Sequence, residues 1–453
     1  MQTGSALRIE IKIGQGELLV WHLWLPKAPR AVVVETRVNL ARLRDARVAH
    51  ENTLTEIKNL YLTFPMSPSE RLALAFERLL QAGLGLMGEV FDQTLDEKTD
   101  DPESLPPLEQ LAKTFRGLQT RVPAGANTPL LIEIDAPLER LLPIELLPFF
   151  RPKNADDEKL LAGVRNGDRL ALRKLAAWFP GYSATVKRIL PYAPARGGVL
   201  HNEPKLPVKF FIHHKLEGAK KELEFFTKNH LCIALDGPWP PEGGGPGFPK
   251  TNTGRARLAF RHLRRPHQGF DGTKQKGADQ VHHFSCHCST ALDSSGSYFI
   301  TLAGCKDSEV SITGMDLVAE QTRLKTDGRN RAKSHRLPLV FLNACGSGRI
   351  RPESSFSFPE YFLRQNGNRG FIGTETPVPD EFAAEFARKF YIALLSGGRN
   401  LGWALHRARW QMLETQQNLL GLYYIAYADP AMRVGRPVLE VFDYEKEHPE
   451  TSS

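Results

Sequence analysis

Two short runs end in residue types that together could break a peptide bond. Val281-His282-His283-Phe284-Ser285-Cys286-His287-Cys288 leads from apolar residues to an imidazole at His287. Pro338-Leu339-Val340-Phe341-Leu342-Asn343-Ala344-Cys345-Gly346-Ser347-Gly348 leads in the same way to a thiol at Cys345. A thiol is mostly protonated near neutral pH. It becomes a competent nucleophile where an imidazole stabilises the thiolate and later protonates the leaving amine. Cys345 and His287 lie 58 positions apart, so local spacing does not pair them, but two neighbouring parallel strands ending on one sheet edge would. The oxyanion formed on attack would then accept hydrogen bonds from the backbone N–H groups of Cys345 and Cys288. Gly346, Ser347 and Gly348 are small and leave room for a substrate backbone. The bland alternative is that Cys345 only packs and that His287 is an ordinary core or surface histidine.

Functional groups of an open parallel sheet collect where strands finish and loops begin, so the elements must supply such an edge. The second half has the required alternation of strand and helix. Val208–His213, Leu231–Leu235, Val281–Ser285, Leu337–Asn343, Gly370–Gly373 and Tyr423–Tyr427 read as strands, with Tyr298–Leu302 as an edge hairpin. Helical spacing covers Glu217–Asn229, Gly254–Leu263, Gly314–Lys325, Asp380–Leu395 and Leu401–Glu414, and the Gly/Pro-rich stretch from Gly237 to Thr253 is a loop. In the first half, Ile9, Ile11 and Ile13 alternate with polar residues and Leu18–Leu25 is a second strand. Helices follow at Ala46–Leu62 and Ser69–Val90, the latter started by Ser67-Pro68-Ser69. Leu130–Ile134 is a buried strand, Leu141–Leu147 an apolar turn into a short helix, and Asp156–Phe179 a charged helical stretch.

The chain has 453 residues, 41% hydrophobic and 24% charged, which excludes a wholly disordered or fibrous protein and gives room for more than one folding unit. No apolar run is long enough to span a membrane, and Met1 to Lys12 lacks the apolar core of a secretory signal, so the expected location is cytoplasmic. Five cysteines are too few and too scattered to staple such a chain. The formal charge of +8 permits attraction to nucleic acid without demanding it. Two basic clusters carry the excess, Arg255 to Arg265 and Lys325 to Arg336. The first, interleaved with Leu258, Phe260 and Leu263, reads as a helix with one solvated basic face.

The two runs resemble the caspase-like CHAT peptidases of clan CD, whose pattern is H-F-x-C-H-G at the histidine and L-x-A-C-x-S/T-G at the nucleophile. Here they stand as His283-Phe284-Ser285-Cys286-His287-Cys288 and Leu342-Asn343-Ala344-Cys345-Gly346-Ser347-Gly348. Four weaker features agree in order: Leu142-Pro143-Ile144-Glu145-Leu146-Leu147, Ala219-Lys220-Lys221-Glu222-Leu223, Gly373-Thr374-Glu375-Thr376-Pro377-Val378-Pro379-Asp380 and Tyr427-Ala428-Asp429-Pro430. The resemblance implies a Cys345–His287 dyad without a cofactor, and substrate contacts from Asp380, Glu375 and Gly346. It also implies a protein substrate and a regulatory protein partner, since many bacterial relatives act in defence or death pathways. Two departures stand out. Cys288 replaces the family glycine after the histidine, which would restrict a backbone that needs left-handed freedom. Thr376 replaces the usual tryptophan, which would open the pocket beside Asp380. The TPR repeats that often accompany these domains are absent.

Other roles compete for these residues. His282, His283, Cys286, His287 and Cys288 are zinc-ligand types, but strand alternation sends them to opposite faces and no second C-x-x-C completes a site. Asp380 opens a helix and could cap it as readily as it could recognise a basic substrate residue. Asp293 and Asp316 could orient His287, but the resemblance implies a dyad and no third member is assigned.

The expected fold is α/β, a three-layer caspase-like sandwich with a mostly parallel central sheet, preceded by a small α+β N-terminal region. Residues 1–125 are that region, 126–204 a degenerate first half with a helical insertion, 205–436 the catalytic domain and 437–453 a polar tail. The expected function is a cysteine endopeptidase. The rival is a catalytically silent CHAT-like interaction scaffold, which the presence of both His287 and Cys345 disfavours and Cys288 weakly favours. Nucleic-acid binding through the basic clusters is a less favoured third reading. In caspases the connection before the nucleophile strand is cut on activation. Cleavage in Thr326–Arg336, if it occurs, is therefore expected after a basic residue such as Arg329, Arg331 or Lys333.

Overall fold

The computed structural model describes residues 6–13, 18–24, 30–63, 65–91, 129–135, 142–152, 154–189, 198–202, 205–242, 249, 251–264, 279–290, 298–304, 309–326, 338–349, 357–396 and 399–436. The chain divides into two compact units, one of residues 1–191 and 409–423, the other of residues 192–408 and 424–453.

The first unit holds a five-stranded sheet of β1 (Ala6–Ile13), β2 (Leu18–Trp24), β3 (Val32–Arg37), β4 (Leu130–Asp135) and β5 (Ala184–Ile189), in the order β3-β2-β1-β4-β5. The alternating isoleucines bury Ile9 and Ile11 on one face, as period-two patterning requires. β3 and β5 have no counterpart in the sequence-based reading; β5 follows directly on the helical stretch that masked it. Two helices, Leu40–Thr63 and Pro68–Phe91, pack as a pair. The second begins with a capping box: the Glu70 N–H donates to Ser67 Oγ, and the Ser67 N–H donates back to the Glu70 carboxylate.

In this unit the carboxylate of Glu145, from the Leu-Pro-Ile-Glu run, is fully buried between two arginines. Arg188 Nη1 donates to it at 2.6 Å, Arg188 Nη2 closes the bidentate pair, and Arg409 Nη2 stands 3.8 Å away. Burial works to raise the Glu145 carboxyl, but the two guanidiniums outweigh it and hold the group below the usual carboxylate range.

The second unit is the α/β sandwich expected from the sequence. Its strands are β6 (Val199–Leu200), β7 (Leu206–Ile212), β8 (Ile233–Trp239), β9 (Val281–Ser285), β10 (His287–Thr290), β11 (Tyr298–Ala303), β12 (Glu309–Thr313), β13 (Leu339–Asn343), β14 (Gly370–Thr374), β15 (Tyr424–Ala428) and β16 (Arg433–Val434). Six of them form the central sheet in the order β15-β14-β13-β9-β7-β8. All neighbours are parallel except β14 and β15. β7, β9, β13, β14 and β15 are buried at every residue, the signature of a sheet covered on both faces.

On one face the helices Glu217–Lys228 and Asp380–Ser396 supply Phe226 and Tyr391 against His283 of β9. On the other, His262 of the Asn252–Arg264 helix and Phe362 of the Phe358–Gln365 turn pack against Phe211 and Phe284. β10, β11 and β12 form a separate three-stranded antiparallel sheet that takes over where β9 ends.

The Asn252–Arg264 helix is basic on its solvated side, as its spacing requires, yet several of its arginines are engaged. Arg255 donates to the carbonyls of Pro249 and Glu309, Arg257 pairs with Glu320, and Arg264 donates to Gln321. Most of the second basic cluster, with the cleavage expected after Arg329, Arg331 or Lys333, lies outside the described residues, as do Asp293 and Cys305.

Candidate active site

β9 and β13 are adjacent and parallel, paired from Leu339 with Val281 through Asn343 with Ser285. The Cys286 N–H then donates to the Asn343 carbonyl at 3.3 Å. His287 and Cys345 each lie two residues beyond the last pair, on the same sheet edge. The strand order that pairs them is thus the one the sequence reading required.

The two chains leave that edge differently. After Cys286 the backbone crosses into the second sheet, where His287 opens β10 opposite Thr301 and is exposed. The alternation expected to keep His283 and His287 on one side therefore stops at Ser285. His283 is buried beneath the sheet and His287 is at its rim. On the other strand, residues 344–349 form a tight turn. Gly346 has φ +65°, a conformation that disfavours any residue with a β-carbon and explains glycine directly after the thiol.

Thr374 of β14 fixes this turn from both ends. Its hydroxyl donates to the Ala344 carbonyl and accepts from the Gly346 N–H, each at 2.9 Å. Ser347 Oγ donates to the Leu342 carbonyl at 2.8 Å and accepts from the Thr374 N–H at 3.3 Å. Ser347 is therefore a buried bracket of the turn; it does not serve as open space for a substrate backbone. The amides of Ser347 and Gly348 are spent on the carbonyls of Ala344 and Thr374.

Cys345 is half-buried, whereas Cys232, Cys286 and Cys288 are buried. Burial pushes the thiols of Cys286 and Cys288 well up, and the proximity of Cys345 adds to both. Each stays a protonated thiol near neutral pH, leaving Cys345 as the accessible sulfur of this edge. Its Sγ lies 3.9 Å from the Val378 carbonyl. Cys288 of β10 pairs with Ile300 of β11, and among the described non-glycine residues Gln417 alone has positive φ. A β-carbon at 288 thus sits on ordinary extended backbone, and the restriction expected from replacing glycine does not arise.

Asp380 is the first residue of its helix, and its carboxylate accepts from two amides, Gly218 N–H at 3.1 Å and Glu381 N–H at 2.9 Å. A β-carbon on Gly218 would lie 2.2 Å from the Asp380 carbonyl oxygen, so glycine there lets the two helix starts meet. Glu375 is buried and its carbonyl accepts from Arg349 Nε at 3.0 Å. Thr376 is fully buried. Asp316 caps its own helix: its carboxylate accepts from the N–H and hydroxyl of Thr313.

Under the strand ends lies a buried polar network centred on Glu222. Ser285 Oγ and Asn343 Nδ2 donate to its Oε1 at 2.6 and 3.0 Å, and His283 Nε2 meets Oε2. His283 Nδ1 faces the Tyr391 hydroxyl at 3.0 Å, and Tyr424 donates to Asn343 Oδ1 at 2.6 Å. With the proton on Nε2, every partner is satisfied. The network clamps the last residues of β9 and β13, two positions before His287 and Cys345. Its signal in the sequence was a carboxylate on the apolar stripe of a helix, Ala219, Glu222, Phe225 and Phe226 sharing the buried face. On the opposite face His282 Nε2 bonds Asp279 at 3.1 Å, beside the buried Lys209 ammonium, 2.8 Å from the same carboxylate. The histidines of the zinc reading are thereby divided between two faces and a rim.

Residues 255–448 match the model of the CHAT domain family. That stretch is similar to the CHAT domain. A curated protein of Vitiosangium sp. (strain GDMCC 1.1324), named "Probable protease", is 35% identical over 91 residues, which are 20% of this chain and 12% of that protein. Two crystal structures of the Saccharomyces cerevisiae separase–securin complex align with 95% of this chain and 30% of theirs, at 11% and 10% identity and a TM-score of 0.44 each. The chain thus spans a small part of the length of these relatives. Within it, the CHAT match covers both strand ends, the turn at 344–349 and the helix opened by Asp380. No described helix is long and apolar enough to cross a membrane.

Proposed function

We propose that the chain is a cysteine endopeptidase in which Cys345 attacks a peptide carbonyl. In this reading His287 protonates the leaving amine and then activates water to hydrolyse the thioester. The observation that carries it is the parallel register of β9 and β13, whose last pair, Ser285 with Asn343, lies two residues before His287 and Cys345 on one edge. The CHAT match and the protease-named relative support it. The oxyanion falls to the amides of Cys288 and Cys345, because those of Gly346, Ser347 and Gly348 serve the turn. Glu375, Gly346 and Asp380 border the substrate. Two amides already use the Asp380 carboxylate, which leaves its remaining lone pairs for a basic side chain.

A protein substrate, a regulatory protein partner, a cytoplasmic site of action and a place in bacterial defence complete the proposal. The test is mass spectrometry of new protein termini in cells expressing wild type, Cys345→Ala or His287→Ala. Both variants should fold and lose the new termini, since small changes at a cleft edge cost the core little. Termini that persist in either variant would remove the dyad. Loss of a preference for Arg or Lys before the scissile bond in Asp380→Asn would separate recognition from helix capping.

A further inference from the structure

At the end of β7, next to β9, His213 is locked into the backbone. Its N–H donates to the Ser285 carbonyl at 2.9 Å, it bridges to Ala303 of β11, and its carbonyl accepts from Leu216. The side chain is 4% exposed and its Nδ1 is buried without a hydrogen-bond partner among the described residues. It does have an aromatic partner. The His213 and His287 rings meet edge to face, with centroids 4.6 Å apart and planes at 75°.

We propose that His213 is a positioning residue for His287, an aromatic wall that fixes the orientation of the rim imidazole. This rests on the dyad reading. An imidazolium within about 6 Å of an aromatic ring is attracted by the ring's quadrupole, provided that ring is itself uncharged. The surroundings keep it so: burial, and next the neighbouring His287, push His213 down to about 4. The other charged groups facing it are Glu309 of β12, which favours protonation, and Lys215, which opposes it; these two pair with each other at 2.7 Å. Because the His213 backbone is held from both β9 and β11, the ring is a fixed abutment. Glu309, whose carboxyl Lys215 holds below the usual carboxylate range with smaller help from His213 and His287, faces both imidazoles.

The test is iodoacetamide alkylation of Cys345 in the full chain, read by peptide mass spectrometry from pH 6 to pH 9. A thiolate paired with an imidazolium reacts at pH 6, where an ordinary thiol is almost wholly protonated. His213→Ala should slow the pH 6 rate roughly three- to tenfold, with rates converging towards pH 9, and His213→Phe should restore it. His213→Asn removes the ring with less loss of volume and carries the test if the alanine variant does not fold. Wild-type rates at pH 6 in the Ala or Asn variants, or a Phe variant as slow as Ala, would overturn the proposal. His287→Ala is the control: an unchanged pH 6 rate there would overturn the dyad itself, and this proposal with it.

Discussion

Each unit buries a glutamate of a family-like run in a polar cluster, Glu145 in the first and Glu222 in the second, and these two are satisfied in opposite ways. Glu145 sits between the guanidiniums of Arg188 and Arg409, an ionic solution in which charge offsets charge. Among the described residues no arginine or lysine bonds Glu222; a hydroxyl, an amide and an imidazole converge on it. The ionic triad ties the 3-10 turn after β4 to β5 and to Arg409, whereas the Glu222 network ties two strand ends that each stop two residues before a member of the candidate dyad. Ion pairing tolerates long flexible arms. Holding two strand ends in register takes short side chains with one geometry each, and Ser285 and Asn343 provide it.

The largest expected effect tests the ionic half. Glu145→Gln leaves Arg188 with an uncompensated buried charge, so urea denaturation should show a loss of about 3–5 kcal/mol. The same group sets a pH dependence. Its folded pKa is depressed, so its stabilisation is present above the ordinary carboxylate range and is lost as pH falls through the folded value. The denaturation midpoint of wild type should therefore drop on acidification more steeply than that of Glu145→Gln. Parallel slopes would mean that the triad contributes no linked protonation.

A smaller effect is expected from the Glu222 network. Glu222→Ala leaves Ser285, His283 and Asn343 short of an acceptor, with an expected cost of about 1–3 kcal/mol. It should also slow Cys345 alkylation at pH 6, because the strand ends lose their common anchor. If stability falls while alkylation holds at the wild-type rate, the network is structural in the same sense as the Glu145 triad and the contrast between them disappears.

The smallest effect is expected at Cys288. With extended backbone there, Cys288→Gly should leave unactivated turnover under reducing conditions unchanged and cost roughly 0.5–1 kcal/mol of stability, the usual penalty of glycine within an element. Cys288→Ser should match wild type in turnover. A rise in turnover for glycine alone would mean that a β-carbon at 288 does hold back the oxyanion amide.

The residues themselves determined a good deal. The apolar run Leu339–Leu342 specifies a strand buried on both faces, the short run Val281–Ser285 a second strand, and the apolar spacing of Glu217–Lys228 a helix, because such periodicities are local properties of the backbone. The thiol and imidazole at the ends of two such runs were legible for the same reason. What the chain could not declare locally was decided by packing between segments distant in sequence. Ser347 became a turn bracket because β14 brings Thr374 against it, and Asp380 became a cap for Gly218 because two helix starts meet. Glu222 found its donors on β9 and β13, 63 and 121 positions away. His213 gained its meaning only when β7 took its place beside β9. Hydrogen bonds and ring contacts depend on distances of a few ångströms between such segments, and only the folded sheet sets those distances.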